Sequence, residues 1–379
     1  VEARFNSGVH DLYQLIAGAG DGYDALEDPD TAVVLAKLLE AGKPIGDVQF
    51  AWTGAAAPLP AKPAVRPMGA EQSNSTIVLG DALALKVFRR LLPGDNPELE
   101  MLRFLTQHGF ANIAPLAGWY AFEGERLSAT LGVLQTFVAD GVDGWDYALS
   151  EPDAFLGRAA ELGAVTGRMH SVLASDGMDP DFAPEEPAEE ALGMLVATID
   201  EEIDRVFLDL RDGDDAVLGI LGRGEELRDQ LAALSHQSAG GRLIRHHGDY
   251  HLGQTLLSGS GWVILDFEGE PARSLPERRR KRSPLRDAAG MLRSFAYAAS
   301  ARSLPAGWEA SARQEFLAGY FGAVEPALMP AGESAIAKLL AIHELEKAVY
   351  ELRYELNNRP DWVRIPVAAI ARLLDEPIG

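Results

Sequence analysis

The stretch HHGDYHLGQTLLSGSGWVILDFEGEP, residues 246–271, constrains this chain more than any other. Asp249 is followed five residues later by Gln254, then by two apolar runs split by Ser-Gly-Ser-Gly, and Asp266 closes the second run. Two apolar runs of strand length around a Gly-Ser turn read as a hairpin. The fold must therefore set a loop bearing Asp249 and Gln254 directly before a hairpin that ends on Asp266. The three histidines, His246, His247 and His251, suggest zinc at first sight. Histidine-rich zinc sites use His-x-His spacing or pairs at i and i+4 of a helix, and Gly248 between His247 and His251 speaks against a helix there. The chain has no cysteine, so disulfides, thiolate catalysis and cysteine-based zinc sites are excluded as well.

Phosphoryl transfer makes a sharper demand, and the stretch meets it. That chemistry needs an Asp to orient the attacking hydroxyl and accept its proton, an amide or carboxylate five residues on to bind Mg²⁺, and a second Asp on Mg²⁺ after a strand pair. Asp249, Gln254 and Asp266 fall into those three places. The same logic requires a strand lysine for the α- and β-phosphates and a glutamate on the next helix to hold it. ALALKVF supplies Lys86 in an apolar strand, with Glu100 fourteen residues later and Glu98 as the rival partner. Where a glycine-rich phosphate lid would stand, the sequence offers Gln72, Ser73, Asn74 and Ser75, which either cradle phosphates or form an ordinary turn. VLQTFV is the expected hinge for adenine, around Gln135 and Phe137.

Periodicity divides the 379 residues into three parts. Residues 1–63 begin inside a strand, continue with a helix at Val34, Leu35, Leu38 and Leu39 and the strand candidate IGDVQFAWTG, and end in the Ala- and Pro-rich AAAPLPAKPAVRP, a natural linker. Opening within a hairpin and without methionine, the chain reads as a fragment. Residues 64–140 read β-β-α-β-β, a small lobe with an antiparallel sheet. From 141 to 379 long helical patterns dominate, from DAFLGRAAELGAVTGRMHSVLAS to ESAIAKLLAIHELEKAVYELRYELNN, and the acidic DGMDPDFAPEEPAEE is expected to be a loose surface connection. A net charge of −23 argues against nucleic acid and anionic membranes as partners. No run approaches the length of a bilayer span and no leader is visible, so a cytoplasmic location is expected. The basic run ERRRKRSPLR is a solvated face or a collar for a phosphate-bearing ligand.

Taken together, GAEQSNSTIVLGDALALKVFRRLLPGDNPELE, LQTFVADGVDGW, HGDYHLGQ, LDFEGEP, SPLRDAAGMLRSF and LEKAVYELRYELNNRPDW resemble the bacterial maltokinases, relatives of the aminoglycoside phosphotransferases. The resemblance implies an α+β, bilobal protein-kinase-like fold with an antiparallel-sheet N-lobe, a mainly helical C-lobe and a partial N-terminal cap domain. It implies ATP and Mg²⁺ as cofactors and transfer of phosphate to the anomeric hydroxyl of maltose for α-glucan synthesis, beside a trehalose-isomerising enzyme as a conceivable partner. It makes Asp249 the catalytic base, Gln254 and Asp266 the Mg²⁺ ligands, and Asp287 a structural brace of the catalytic loop. His247 is expected to shape that turn, His246 to complete the preceding strand and His251 to lie near the acceptor.

Sugar recognition is expected from the last long helical pattern, where Glu344, Lys347, Glu351 and Tyr354 share one face at helical spacing. A solvated face laced with ion pairs is the plain alternative. The resemblance favours Lys347, Tyr350 and Tyr354 as sugar contacts. A second acceptor class stays open: glucosamine, another amino sugar or an aminoglycoside, for which Glu268, Glu270, Glu351 and Glu355 could form an acidic pocket. A catalytically silent binding module is the remote alternative, and the presence of base, metal ligands and phosphate lysine argues against it.

Overall fold

The computed structural model, which describes residues 1–5, 10–18, 25–54, 59, 63–70, 74–188, 190–210, 215–235 and 240–375, joins half of the strands into one antiparallel sheet. Its members are β3 (Val48–Trp52), β4 (Val65–Ala70), β5 (Asn74–Leu79), β6 (Leu83–Phe88), β8 (Leu116–Glu123) and β9 (Ser128–Thr136), in the order β3-β8-β9-β6-β5-β4. β1 (Glu2–Arg4), β2 (His10–Tyr13) and the two-residue β7 (Arg90–Leu91) form a smaller sheet. Alternation along β6 decides what each face of the large sheet does. Leu83, Leu85 and Val87 point into an apolar cluster with Ile77, Leu79 and Leu134. Lys86 takes the opposite face.

Helix α1 (Pro29–Ala41) closes the apolar face with Ala32, Ala36 and Leu39. The Asp28 carboxylate accepts from the Thr31 N–H at its start, and Gly42, at φ 60°, ends it in a left-handed turn. Residues 1–63 are therefore not a unit of their own, contrary to the boundary expected from the Pro-rich stretch. β3 is the edge strand of the large sheet, paired with β8 from Val48↔Phe122 to Trp52↔Gly118, and α1 supplies part of its core. The linker residues 55–58 and 60–62 lie outside the described residues. Val65–Pro67, expected as linker, opens strand β4.

Two units emerge: Val1–Val142 with Leu256–Arg279, and Asp143–Thr255 with Arg280–Gly379. The first also holds α2 (Pro97–Gln107), which starts at an Asn96 cap and Pro97, and the short α7 (Leu275–Arg278). The expected hairpin is present as β11 (Thr255–Ser258) and β12 (Gly261–Ile264) and follows the two-residue β10 (Val142–Asp143) in chain order. It belongs mostly to the first unit, which the expected range 141–379 had placed elsewhere. The contacts responsible are the Ile113↔Ile264 bridge and the bond from Asn112 Nδ2 to the Trp262 carbonyl, 2.8 Å.

The second unit is helical: α3 (Gly144–Ser150), α4 (Pro152–Leu173), α5 (Ala191–Asp209), α6 (Gly224–Ser235), α8 (Leu285–Ala301), α9 (Trp308–Ala323), α10 (Glu333–Asn358) and α11 (Arg364–Asp375). Ile199, Ile203, Leu231, Ile342, Leu352 and Ile370 join α5, α6, α10 and α11 in one apolar cluster. The acidic segment before α5 is better anchored than its composition suggested: Phe182 is buried, Glu185 bridges Leu243, and Lys281 binds the Pro180 carbonyl and Glu185. No helix among the described residues is long and apolar enough to cross a membrane.

Helices α4 and α9 approach so closely that glycine is required at their contact. A Cβ at Gly163 would run into the Phe316 carbonyl, and one at Gly319 into that of Ala160. Overpacking of this kind costs about 1–3 kcal/mol. Gly319→Ala is accordingly expected to lower the urea midpoint of unfolding without changing the slope, whereas Gly322→Ala, with open space around its Cβ, leaves the midpoint unchanged.

Candidate active site

Lys86 enters the first unit on a strand whose register sets it beside Thr76 and Val133, and its ammonium is almost wholly buried. Such a group needs counter-charges. It has three: Glu98 Oε2 at 2.8 Å, Asp266 Oδ1 at 2.9 Å and Glu268 Oε1 at 2.8 Å. The expected partner Glu100 is not among them. Two helical residues apart means nearly opposite faces, so Glu100 turns away from Lys86 and pairs with Arg279. Glu268, expected at the acceptor, also belongs to this cluster.

Asp266 is held at φ 56°, a left-handed backbone that non-glycine residues seldom adopt. Asn74 Nδ2 donates to Glu268 Oε1 at 2.6 Å, so Asn74 faces the cluster. Ser75, its neighbour on β5, faces the other way and accepts from Arg89 Nε at 2.9 Å, which removes it from the expected phosphate cradle. Gln72 and Ser73 lie outside the described residues. Gln135 Nε2 donates to the Ala114 carbonyl, and the Phe137 N–H donates to that of Ala82, so this amide of the expected hinge is already bonded. The phenyl ring of Phe137 lies under the Arg66 guanidinium, 5.0 Å away.

Three carboxyl groups thus converge on one ammonium in a confined space. Burial alone would lower the Lys86 pKa, but the carboxylates outweigh it and raise it well above its ordinary value. Burial pushes Glu98 up, with Lys86 opposing and Asp266 and Glu268 reinforcing the shift. The oxygens of Glu98, Asp266 and Glu268 lie within 4.8 Å of one another, an all-oxygen donor set suited to a hard divalent cation such as Mg²⁺.

The second unit holds the loop expected to carry the base. Asp287, at the start of α8, accepts from the His247 N–H at 2.7 Å, the Gly248 N–H at 2.9 Å and His170 Nε2 at 3.1 Å. Tyr320 Oη lies 3.0 Å from the other nitrogen of His170. Burial would raise the Asp287 pKa, yet the imidazoles of His246, His170 and His247 hold it well below the usual carboxylate range. His246 is itself pushed down to about 3 by burial, so at neutral pH the two backbone N–H groups and His170 are the donors that matter. Asp287 thus holds two consecutive backbone N–H groups of the loop that precedes Asp249. His247 Nδ1 lies 3.4 Å from the Asp249 N–H, a long contact within the same turn.

His251 accepts the Gly253 N–H on Nδ1 at 3.1 Å and so caps the single helical turn Leu252–Gln254. That turn sets Gln254 immediately before β11. Lys347 on α10 reaches Asp249, Nζ to Oδ1 3.4 Å, and lies 5.5 Å from the centre of the Tyr350 ring. Tyr354 is exposed, its ring beside Arg359.

The glutamates of that helix depart from expectation. Glu351 is bound by Arg293 through Nε and Nη2 at 2.9 and 2.7 Å, and Glu344 by Arg313. Glu355 holds Arg359 and accepts from Tyr297, while Glu270 pairs with Arg273. Each of Glu268, Glu270, Glu351 and Glu355 thus has a cationic partner within its own unit. Within the basic run, Arg279 pairs with Glu100 in one unit, and Lys281 pairs with Glu185 and Arg286 with Glu346 in the other.

A sheet-based unit with a carboxylate-held strand lysine and a helical unit with an aspartate loop define a kinase-like phosphotransferase. Residues 64–331 match the model of the Phosphotransferase enzyme family, and the chain belongs to that family. Among curated proteins it is similar to a glucosamine kinase of Mycolicibacterium smegmatis, 28% identical over 82% of this chain and 80% of the other. A glucosamine kinase of Streptacidiphilus jiangxiensis is 27% identical over 81% and 72%. A solved glucosamine kinase in complex with glucosamine, ADP and inorganic phosphate shares the fold, with a TM-score of 0.74 at 22% identity over 98% of this chain and 87% of that one.

The Glu98 shift has a measurable consequence. As pH rises above the ordinary carboxylate range, unfolded Glu98 loses its proton while the folded chain keeps it, so the folded state binds more protons and its contribution to stability falls. Thermal unfolding from pH 5 to pH 8 is expected to show a decline in Tm that Glu98→Gln flattens and Glu100→Gln does not. Added Mg²⁺ should raise Tm more at pH 8 than at pH 6, and an equal rise in Glu268→Gln would remove Glu268 from the cation site.

Proposed function

We propose that the chain is an ATP-dependent kinase of a small sugar, and that its acceptor is an amino sugar, glucosamine first among them, rather than maltose. The observation that carries this choice is the similarity to two glucosamine kinases over more than four fifths of the chain. Several of the motifs that suggested maltose carry the phosphoryl-transfer residues, and those serve any acceptor. Nothing in the acidic side chains favours a cationic acceptor on its own, since Glu268, Glu270, Glu351 and Glu355 are each paired.

In this reading Asp249 takes the proton of the acceptor hydroxyl as its oxygen attacks the γ-phosphorus, and the bond to the β-γ bridging oxygen breaks to release ADP. Lys86 neutralises charge on the nucleotide phosphates and is held in place by Glu98. Asp266 and Glu268, with Gln254 from its sequence position, would hold Mg²⁺, which supplies charge neutralisation to the phosphates when bound. Lys347 fixes the Asp249 carboxylate from α10, and Tyr350 and Tyr354 offer ring faces to a sugar.

A panel of glucosamine, N-acetylglucosamine, maltose and an aminoglycoside, followed by coupled ADP detection, tests the acceptor. The highest kcat/KM is expected with glucosamine, and faster turnover of maltose would overturn the choice. Asp249→Asn is expected to lower kcat by about 10²–10⁴-fold while leaving ATP binding, read by calorimetry, unchanged. Asp266→Ala should weaken Mg²⁺-ATP binding, and unchanged affinity would remove Asp266 from the metal site.

A further inference from the structure

The peptide that carries the proposed base is gripped from both sides. Gly248, at φ 88°, gives its N–H to Asp287, while its carbonyl, the oxygen of the peptide bond leading into Asp249, accepts from Arg286 Nη1 at 3.2 Å. A peptide unit is planar, so fixing that carbonyl fixes the plane from which the Asp249 Cα departs. Asp287 holds the N–H of the preceding peptide plane.

Arg286 does this from a nearly buried position, and a buried guanidinium needs a counter-charge. Glu346 of α10 provides it, Oε2 standing 3.5 Å from Arg286 Nε, with His343 Nδ1 at 3.2 Å and Arg282 at 4.0 Å from the same carboxylate group. Burial would raise the Glu346 pKa, but Arg286, His343 and Arg282 hold it well below the ordinary range. The next residue on α10 is Lys347, whose ammonium touches the Asp249 carboxylate. Adjacent residues of one helix thus touch the base itself and the brace of its peptide.

We propose that Arg286, held by Glu346, is a positioning residue that sets the direction of the Asp249 carboxylate toward the acceptor hydroxyl, so that α10 governs base alignment as well as presenting Lys347 and the tyrosines. The inference rests on Asp249 being the base. Arg286 acts through the Gly248 carbonyl and touches neither nucleotide nor acceptor. Its loss should therefore lower kcat and spare KM for ATP.

The test uses the full chain and compares Arg286→Ala, Arg286→Lys, Glu346→Gln, the Arg286→Ala/Glu346→Gln double variant and Asp249→Asn, with glucosamine as acceptor. Arg286→Ala is expected to lose about 10²-fold in kcat, the scale of an ångström of misplacement, with KM for ATP within about threefold. Free guanidinium should restore part of that kcat, and the double variant should be no slower than Arg286→Ala alone. If Arg286→Ala fails to fold, Arg286→Lys and Glu346→Gln decide on the same kcat and KM readings. A folded Arg286→Ala with near wild-type kcat overturns the proposal. So does a loss that guanidinium leaves untouched and that adds fully to the effect of Glu346→Gln. Retained turnover in Asp249→Asn would instead overturn the assignment of the base, which distinguishes that failure from failure of the brace.

Discussion

An ammonium buried in a sheet is the constraint on which the first unit depends. Lys86 sits between apolar neighbours on β6, and leaving it without counter-charge would cost far more than a surface lysine does. Its three carboxylates come from α2 and from the turn after β12, so satisfying one cation fixes a helix and a hairpin relative to one strand. The opposite face of the same strand is wholly apolar and is closed by α1. The sheet is thus a partition, with core on one side and charge on the other.

The second unit solves the mirror-image problem with an anion. Asp287 is as deeply buried as Lys86 and is satisfied by two consecutive backbone N–H groups and an imidazole. Backbone donors are rigid, so a buried carboxylate that uses them shapes a loop in a way that a flexible lysine partner would not. Around it α10 carries Glu344, Glu346, Glu351 and Glu355, every one tied to an arginine, three of them through two guanidinium nitrogens. A helix anchored by so many charge pairs is a stiff platform for the side chains that reach the loop.

Much of this was legible in the sequence because it rests on local spacing. Asp249, Gln254, the hairpin and Asp266 are fixed within eighteen residues, and the start of α2 follows from its Asn96 cap and Pro97. What escaped notice depended on distant partners. β3 pairs with β8 across some seventy residues, and no local feature of VQFAW announces that neighbour, whereas the Pro-rich stretch after it announces a break. The choice between Glu98 and Glu100 could have been made from Asn96-Pro97, since a cap there fixes the helical phase and the two glutamates face apart. For Glu344 and Glu351 the spacing was read correctly and the surroundings were not, because their partners Arg313 and Arg293 sit on other helices.

The same division explains why the reaction class could be read and the acceptor could not. Transferring a phosphoryl group places its demands at fixed chain intervals: a base, an amide, a turn, a carboxylate, a lysine. Those intervals persist whatever hydroxyl is presented, so motifs built from them resemble kinases of several sugars equally well. Discriminating one acceptor from another falls to the residues that meet its remaining hydroxyl and amino groups, and such residues need only converge in space. On α10 the same helical face carries Lys347, which meets Asp249, and Glu351, which meets Arg293, so periodicity alone assigns both to one task. Similarity spread over some four fifths of the chain samples more of the convergent residues than a motif does, and for that reason it weighs more on the identity of the sugar than any single stretch.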